Sequence, residues 1–476
     1  MAPTNTTSHP SPFPATIAII GASLTGLSLA LSLLQSQLFQ PPQITIYERR
    51  TAPAPQFSPA NLPLNSPTSD PEHNHPSASL NPSGLDPSGL DPSTTASGVV
   101  LTPNGLSVLS ALQILPRIAP RCWTSAYRTY RNDADELVRK VQVSGEEVYG
   151  YRNHRCWRGL LVGEMLEMAR EAGVVVRWGW RFSGVEEGGG GAGVRFVVER
   201  VGDAREVVSA DLLVGADGIY STVRKHLDPV AAPEYTGTTG VLAHIRWEHV
   251  AWPEVPEGEY ERQCTLQGKP GALFWIPEDQ EGSVVMVGKQ VRVDGERSRE
   301  EWDKLSRNKE YLCGFYRQDY GEWGSTGRKI IDAVCRNRDT LYLWPFMRMA
   351  KLERWFSHQG NVIIMGDAAH ALPPSSGQGV NQTLEDVYVL TRVLELVKTG
   401  RKDLQEGLRW WQEKRQQRID QVFDWATNAT NVQRLPQAER EKLLKEGGAK
   451  SQQETDDMRW LYKPGWDEVM ATWVAN

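Results

Sequence analysis

Short unbroken apolar runs alternate along this chain with longer stretches in which apolar residues recur every three or four positions. "TIAII", Thr16 to Ile20, predicts a buried strand, and the apolar residues after it continue as a helix through Leu34. "QITIYE" predicts a second strand ending at Glu48. "GLLVGEMLEMAREAG" spaces Leu161, Met165 and Met168 at helical intervals, and "VVVRWGW" and "VRFVVERV" alternate as strands. "ADLLVGADG" closes another strand. "RTYRNDADELVRKVQV" predicts a hairpin turning at Asn132 to Asp135. From about Tyr235 to Leu343 the pattern is mostly strand and loop, with one helix between Ser298 and Asp319. Ser298 followed by Glu301 forms a capping box at its start. "NVIIMGD" returns to the buried-strand pattern. "GVNQTLEDVYVLTRVLELV" then sets Val380, Leu384, Val387, Leu394 and Val397 on one side of a long helix. Residues 402–425 are charged and amphipathic, and predict a solvated outer helix. Strands alternating with helices imply an α/β fold with a parallel sheet, interrupted by a mostly-β insertion.

The length, 476 residues, predicts two or three domains, and 40% hydrophobic residues suffice for a substantial core. A formal charge of -6 gives no reason to expect nucleic acid or an anionic membrane as partner. The five cysteines are scattered and never paired as CxxC, which argues for a reducing compartment and against a disulfide framework or zinc site. No metal ligand set is expected. The N-terminal "MAPTNTTSHPSPFPA" has neither basic residues nor an apolar run, so no leader is expected, and the predicted location is cytoplasmic. Thr16 to Leu34 has the length of a membrane span, but its glycines and serines favour strand, turn and helix. Residues 52–97, rich in Pro, Ser and Asn and carrying "PSGLDPSGLDPS", predict a flexible insertion.

Three glycine-marked strand ends carry candidate chemistry. In "AIIGASLTGLSLAL", Gly21 and Gly26 take the first and third places of a GxGxxG pattern and Ser23 the second. Gly21 permits the tight turn, Gly26 seats the helix on the strand, and the helix N-terminus offers N–H groups to a pyrophosphate. Glu48, about 22 residues beyond Gly26, is placed to accept from ribose hydroxyls, which favours FAD or NAD over NADP in this site. In "IIMGDAAHALPPSSGQGVNQTLED", Gly366 allows close approach and Asp367 can accept from a polyol. Pro373 and Pro374 stiffen the turn, and Gly377 and Gly379 present N–H groups where a helix starts. That arrangement suits a flat ring that gains negative charge on reduction, its edge over Gly377 to Asn381. "DLLVGADGIYSTVRKHL" repeats the style with Asp217 and Gly218.

Taken in order, "GASLTG" with Glu48, "WRGLL", "VGADGIYSTVR" and "MGDAAHALPPSSGQGVNQTLED" resemble the FAD-dependent aromatic hydroxylases, the single-component flavin monooxygenases similar to para-hydroxybenzoate hydroxylase. The tail "DMRWLYKPGW" is similar to fungal members, some of which act in secondary metabolism. The resemblance implies a Rossmann-like FAD-binding domain over 16–225 and 351–425, with the 121–150 hairpin joining the substrate sheet. It implies a mostly-β substrate domain over 226–350, and a C-terminal segment over 426–476. It implies FAD contacts from Gly21, Ser23, Gly26, Glu48, Arg49, Arg158, Asp217, Gly218, Gly366, Asp367, Pro373, Gly377, Gly379, Val380 and Asn381. It also implies NADPH or NADH as co-substrate, an aromatic small molecule and O2 as partners, oxygen transfer through a C4a-hydroperoxyflavin, and a monomer or homodimer.

The substrate region carries no family motif. "VLAHIRWE" sets Leu242, His244, Arg246 and Glu248 on one strand face, and His244 or Arg246 can bind or deprotonate a phenol; a solvent-facing strand side is the competing reading. Tyr235 and Trp275 are further candidates, and His370 is expected to pack only. The halogenase element W-x-W-x-I-P is absent, "ALFWIP" having Ala272 and Phe274 at the tryptophan positions. A flavin-linked oxidase or reductase without oxygen insertion is the alternative.

Overall fold

A computed structural model describes residues 13–52, 97–186, 193–200, 204–255, 260–446 and 457–475. The predicted 52–97 insertion lies, apart from its ends, outside the described residues. Five parallel strands form one sheet in the order Val362–Ile364, Leu212–Gly215, Ile17–Ile20, Ile44–Glu48, Val175–Trp178. The first three are buried along their whole length, which is why they read as unbroken apolar runs. Helix Leu24–Gln35 packs against helices Arg158–Glu171 and Gly379–Lys398 in the same core. The Thr16 to Leu34 stretch is therefore strand, turn and helix, and no described helix is long and apolar enough to cross a membrane.

Seven strands form a second sheet in the order Tyr342–Met349, Pro233–Arg246, Val284–Arg292, Gly271–Pro277, Cys264–Gly268, Tyr127–Asn132, Leu137–Gln142. The hairpin of residues 127–142 joins it by parallel pairing of Thr265 with Tyr130. One face, with Val241, Ala243, Ile245 and Trp275, is buried under helices. The other carries Leu242, Met286 and Tyr342, flanked by partly buried Phe274, Ile276 and Trp344.

The single helix expected between Ser298 and Asp319 is two, Arg299–Arg307 and Lys309–Arg317. Asn308 ends the first, and its side chain accepts from the Tyr311 N–H to cap the second. A third helix, Ser325–Arg336, lies in the Tyr235 to Leu343 stretch expected to be mostly strand and loop, and buries Ile330, Ile331 and Val334. The Ser298 capping box is present, with Ser298 N–H donating to Glu301 Oε2 at 2.7 Å. Ser298→Ala is expected to cost about 1 kcal/mol, read as a lowered urea midpoint with unchanged m-value.

Residues 402–425 depart further from expectation. Helix Leu404–Trp425 buries Trp410, Trp411, Arg415 and Arg418. Its charges are not all a solvated face, because two arginines turn inward to buried carboxylates.

Candidate functional site

The parallel register lays the carboxyl ends of three adjacent strands side by side, the edge where ligands bind in such sheets. At the first, Gly21 has φ +112°, and a Cβ there would stand 2.5 Å from the Ala216 carbonyl oxygen. A Cβ on Gly26 would stand 2.0 Å from the Gly21 oxygen, so only glycine lets the helix seat. Ser23 is the N-cap in extended conformation and its side chain makes no capping bond, leaving the first N–H groups of the helix to a ligand.

Glu48 is buried. Its Oε2 accepts from the Ala22 N–H at 2.8 Å, and it pairs with Arg50 at 2.9 Å. Burial pushes the Glu48 carboxyl up, but Arg50 outweighs it and the group sits below the usual range. A ribose at this position would share these oxygens with the half-buried Arg50. Arg49 is exposed beside it; burial at longer range and nearby Arg299 lower its pKa.

At the second strand end, Asp217 Oδ2 accepts from the N–H groups of Thr222 (2.7 Å) and Val223 (3.3 Å), while its Oδ1 is buried with no partner. Burial raises its pKa. Gly218 has φ +79° and open space before it. Buried Arg224 follows on the next helix and donates to the carbonyls of Ala368 and Ala350, both at 2.7 Å, clamping this turn to the third strand end.

There, Gly366 has φ +59°, and a Cβ would stand 2.7 Å from Thr25 Oγ1. The Asp367 side chain is accessible although protein surrounds it, as befits the wall of a hollow; this enclosure raises its pKa, against the opposing pull of Arg158. Arg158, whose pKa burial lowers, donates to Ser97 Oγ at 3.4 Å. Pro373 is buried ahead of the Pro374–Ser376 turn.

The donor set facing the hollow differs from the sequence reading. The Gly377 N–H is taken by the Pro374 carbonyl (3.1 Å) and the Gln378 N–H by Ser376 Oγ (3.1 Å). The first N–H groups of helix Gly379–Lys398, on Gly379, Val380 and Asn381, are those without helical partners. The Asn381 side chain is also spent internally: Nδ2 donates to the carbonyls of Val100 and Gly377, both at 2.9 Å, and Oδ1 accepts from the Thr102 N–H at 3.0 Å. A Cβ on Gly379 would meet only Asp367 Oδ1, at 4.0 Å, and one on Gly377 only Val100, at 3.9 Å. Room before these glycines, an accessible acid in an enclosed wall, and unpartnered Asp217 Oδ1 and Ser375 Oγ fit a dinucleotide with a polyol chain, as in FAD.

Two site features escaped the sequence reading. The first lies behind the Gly366–Asp367 turn. Asp386 accepts from the Gly366 N–H (3.0 Å), pairs with His370 (2.6 Å) and pairs with Arg415 (2.8 Å). Glu385 beside it holds Arg415 at 2.7 Å and accepts from Asn104 Nδ2 at 2.6 Å and Trp466 Nε1 at 3.0 Å. His370, expected only to pack, thus hydrogen-bonds a buried carboxylate. The signal was present as adjacent acids in "LED" facing Arg415 and Arg418, three apart on a later helix.

The second is on the face of the large sheet that carries Leu242, Met286 and Tyr342. His244 is 1% exposed and is not on a solvent-facing strand side. Its Nε2 meets Glu278 Oε1 at 3.3 Å, and Glu278 holds Arg155 through two bonds of 2.9 and 2.5 Å. Burial pushes Glu278 up, but Arg155 and His244 outweigh it and keep it ionised. The imidazole packs between Trp157 and Tyr342, with centroids 5.0 and 5.8 Å away. Gly98 makes room for this cluster, since a Cβ there would stand 1.7 Å from Glu278 Oε2. Arg246 lies half-exposed farther along the strand. Trp275 belongs to the helix-covered core and Tyr235 packs on Trp302, so neither lies with His244.

The family model described as "FAD binding domain" matches residues 93–319 and 345–426. A 3-amino-4-hydroxybenzoate 2-monooxygenase from Streptomyces platensis is 25% identical over 94% of this chain and 95% of its own length. A 6-methylsalicylate 1-monooxygenase from Aspergillus terreus is 27% identical over 80% of this chain and 75% of its own. The crystal structure of Klebsiella pneumoniae HpxO complexed with FAD and uric acid superposes with a TM-score of 0.66 at 19% identity. That superposition covers 96% of this chain and 97% of the other.

Proposed function

The chain belongs to the FAD-binding-domain family as an FAD-dependent aromatic monooxygenase, and from that premise we propose that it takes electrons from NADPH or NADH and inserts one oxygen atom of O2 into an aromatic or polycyclic small molecule. The observation that carries the reading is the room before Gly377 and Gly379 beside Asp367, an accessible acid in an enclosed wall at the carboxyl edge of the parallel sheet. FAD, when bound, supplies electron storage and oxygen activation. This chain's residues do the rest. Asp367 and Arg158 hold the polyol region, and the turn at Gly21 and the helix after Ser23 hold the pyrophosphate. The N–H groups of Gly379, Val380 and Asn381, with the helix dipole, stabilise negative charge at the ring edge. Asp217 and Gly218 face the nucleotide channel. Trp157 and Tyr342 exclude water, and His244, oriented by Glu278, takes the proton of a substrate hydroxyl. Two relatives are named for hydroxyarene carboxylates and one comes from a fungus, which favours a secondary metabolite of the aromatic polyketide kind over an indole alkaloid.

The test is the visible spectrum of the purified protein, followed by aerobic NADPH with oxygen uptake measured against phenols and indoles. A flavin band bleached by NADPH, with uptake stimulated by one class, is the expected result. A yellow protein indifferent to NADPH makes it an oxidase. Asp367→Ala is expected to weaken FAD about 10–100-fold, the worth of one charged hydrogen bond, by titration of the apoprotein.

A further inference from the structure

The C-terminal segment lays one arginine over the large sheet with no acid to meet it. Residues 426–434 pack between the Pro374–Ser376 turn and strand Gly271–Pro277, bridging the flavin side to the substrate sheet. Gln267 Nε2 donates to the Gln433 carbonyl at 2.9 Å, and the Gln437 N–H donates to the Lys269 carbonyl at 3.1 Å, which fixes the segment on the sheet. The Arg434 guanidinium lies 4.1 Å over the Phe274 ring. The Phe274 ring covers Gly288, where a Cβ would stand 2.2 Å from it.

Among the described residues Arg434 has no ion pair and no side-chain hydrogen bond. Burial, with Arg128 nearby, lowers it to about 10, so it is charged at neutral pH. Its neighbours are Arg128 and Tyr130, a like charge and a phenol. The guanidinium is half-exposed with protein packed around it, and the cation–π contact meets its charge only in part. Two other polar groups here also lack partners: Ser375 Oγ, buried in the turn on which the segment packs, and Asn431 Oδ1.

Pairing register relates Arg434 to His244. Phe274, Gly288, Leu242 and Tyr342 form one cross-strand row, and Ile276, Met286 and His244 form the next row of that face. Two strand spacings and two residues along separate Phe274, under Arg434, from His244 by roughly 12 Å between Cα atoms. That span suits an arene with a hydroxyl at one end and an anionic group at the other.

We propose that Arg434 anchors a carboxylate of the aromatic substrate, making the C-terminal segment, and not the substrate sheet alone, the source of specificity. The proposal rests on the monooxygenase reading above. Planar bidentate pairing is what guanidinium offers a carboxylate and an ammonium does not.

The experiment titrates flavin-loaded wild type, Arg434→Met and Arg434→Lys with para-hydroxybenzoate and a hydroxynaphthoate, each against its amide, following the flavin spectrum. The expected result is tighter binding of at least one acid than of its amide in wild type. Arg434→Met should lose that preference by 10-fold or more, and Arg434→Lys should keep part of it. Equal acid binding in wild type and Arg434→Met overturns the proposal, as does a wild type that prefers the amides or binds none of the four. The same variants are assayed for the KM of NADPH. A rise there without loss of acid preference assigns Arg434 to the cofactor phosphates and also overturns it. Absence of a flavin band or of NADPH oxidation in wild type is a failure of the monooxygenase reading, and the spectrum separates it from failure at Arg434.

Discussion

Asp386→Ala is expected to destabilise the protein by about 3–5 kcal/mol, because it strips one acid from a fully buried charge network. Asp386 hydrogen-bonds His370, and it also receives the Gly366 N–H and the Arg415 Nε. Its loss leaves a buried guanidinium half-paired and removes the acceptor that fixes the turn before Asp367. The damage therefore extends to the flavin side, and FAD content should fall with stability. Asp386→Asn keeps an acceptor for the Gly366 N–H and should cost less, which separates the turn from the charge.

The same network predicts an acid limb. Burial pushes Asp386 and Glu385 up, but His370 and Arg415 outweigh it at the first, and Arg418 and Arg415 at the second, leaving both below their ordinary values. Carboxyls depressed by folding stabilise fully above the unfolded pKa, about 4, and that contribution is lost as pH falls through the folded values. Urea midpoints measured from pH 7 down to pH 3 should fall steeply for wild type and less steeply for Asp386→Ala. Parallel profiles would show that the network contributes no pH dependence.

The strand ends were legible in the sequence because each is written locally. A glycine at a tight turn and an acid at a strand end sit within a few residues, and Gly21, Glu48, Asp217 and Asp367 lie where parallel register collects them. The supporting network was not legible, because it joins Asn104, Gly366, Glu385, Arg415 and Trp466 across more than three hundred residues. Inward arginines on helix Leu404–Trp425 look, in sequence, like any charged surface; only the acids opposite reveal them. His244 shows the opposite limit. Its strand alternation was plain, but alternation says only that a face exists, and the closure of that face by Gly98, Arg155 and Trp157 comes from a different sheet. Phe274, at a tryptophan position of the halogenase element, was read for what it lacked. The structure gives it a positive role as the surface under Arg434.

His244→Gln is expected to lower substrate hydroxylation by about 100- to 10,000-fold while leaving flavin content intact, the range for removing a positioned acid–base group. Glutamine keeps a hydrogen bond to Glu278 and a comparable volume between Trp157 and Tyr342, so the packing there should hold. What it cannot do is accept and return a proton. Glu278 is no substitute, since Arg155 occupies both its oxygens, and Tyr342, buried and raised well above its ordinary pKa, stays protonated. The His244 Nδ1 makes no hydrogen bond within the described residues, so one ring nitrogen remains for the substrate hydroxyl. The check is coupling. NADPH oxidation should continue in the variant while product per NADPH collapses and hydrogen peroxide takes its place. If product yield and its pH dependence match wild type, His244 only fills space, and the proton must leave to solvent. If NADPH oxidation stops as well, the substitution has disturbed the flavin side, and Gly98→Ala, which presses on Glu278 without touching the imidazole, should reproduce that loss.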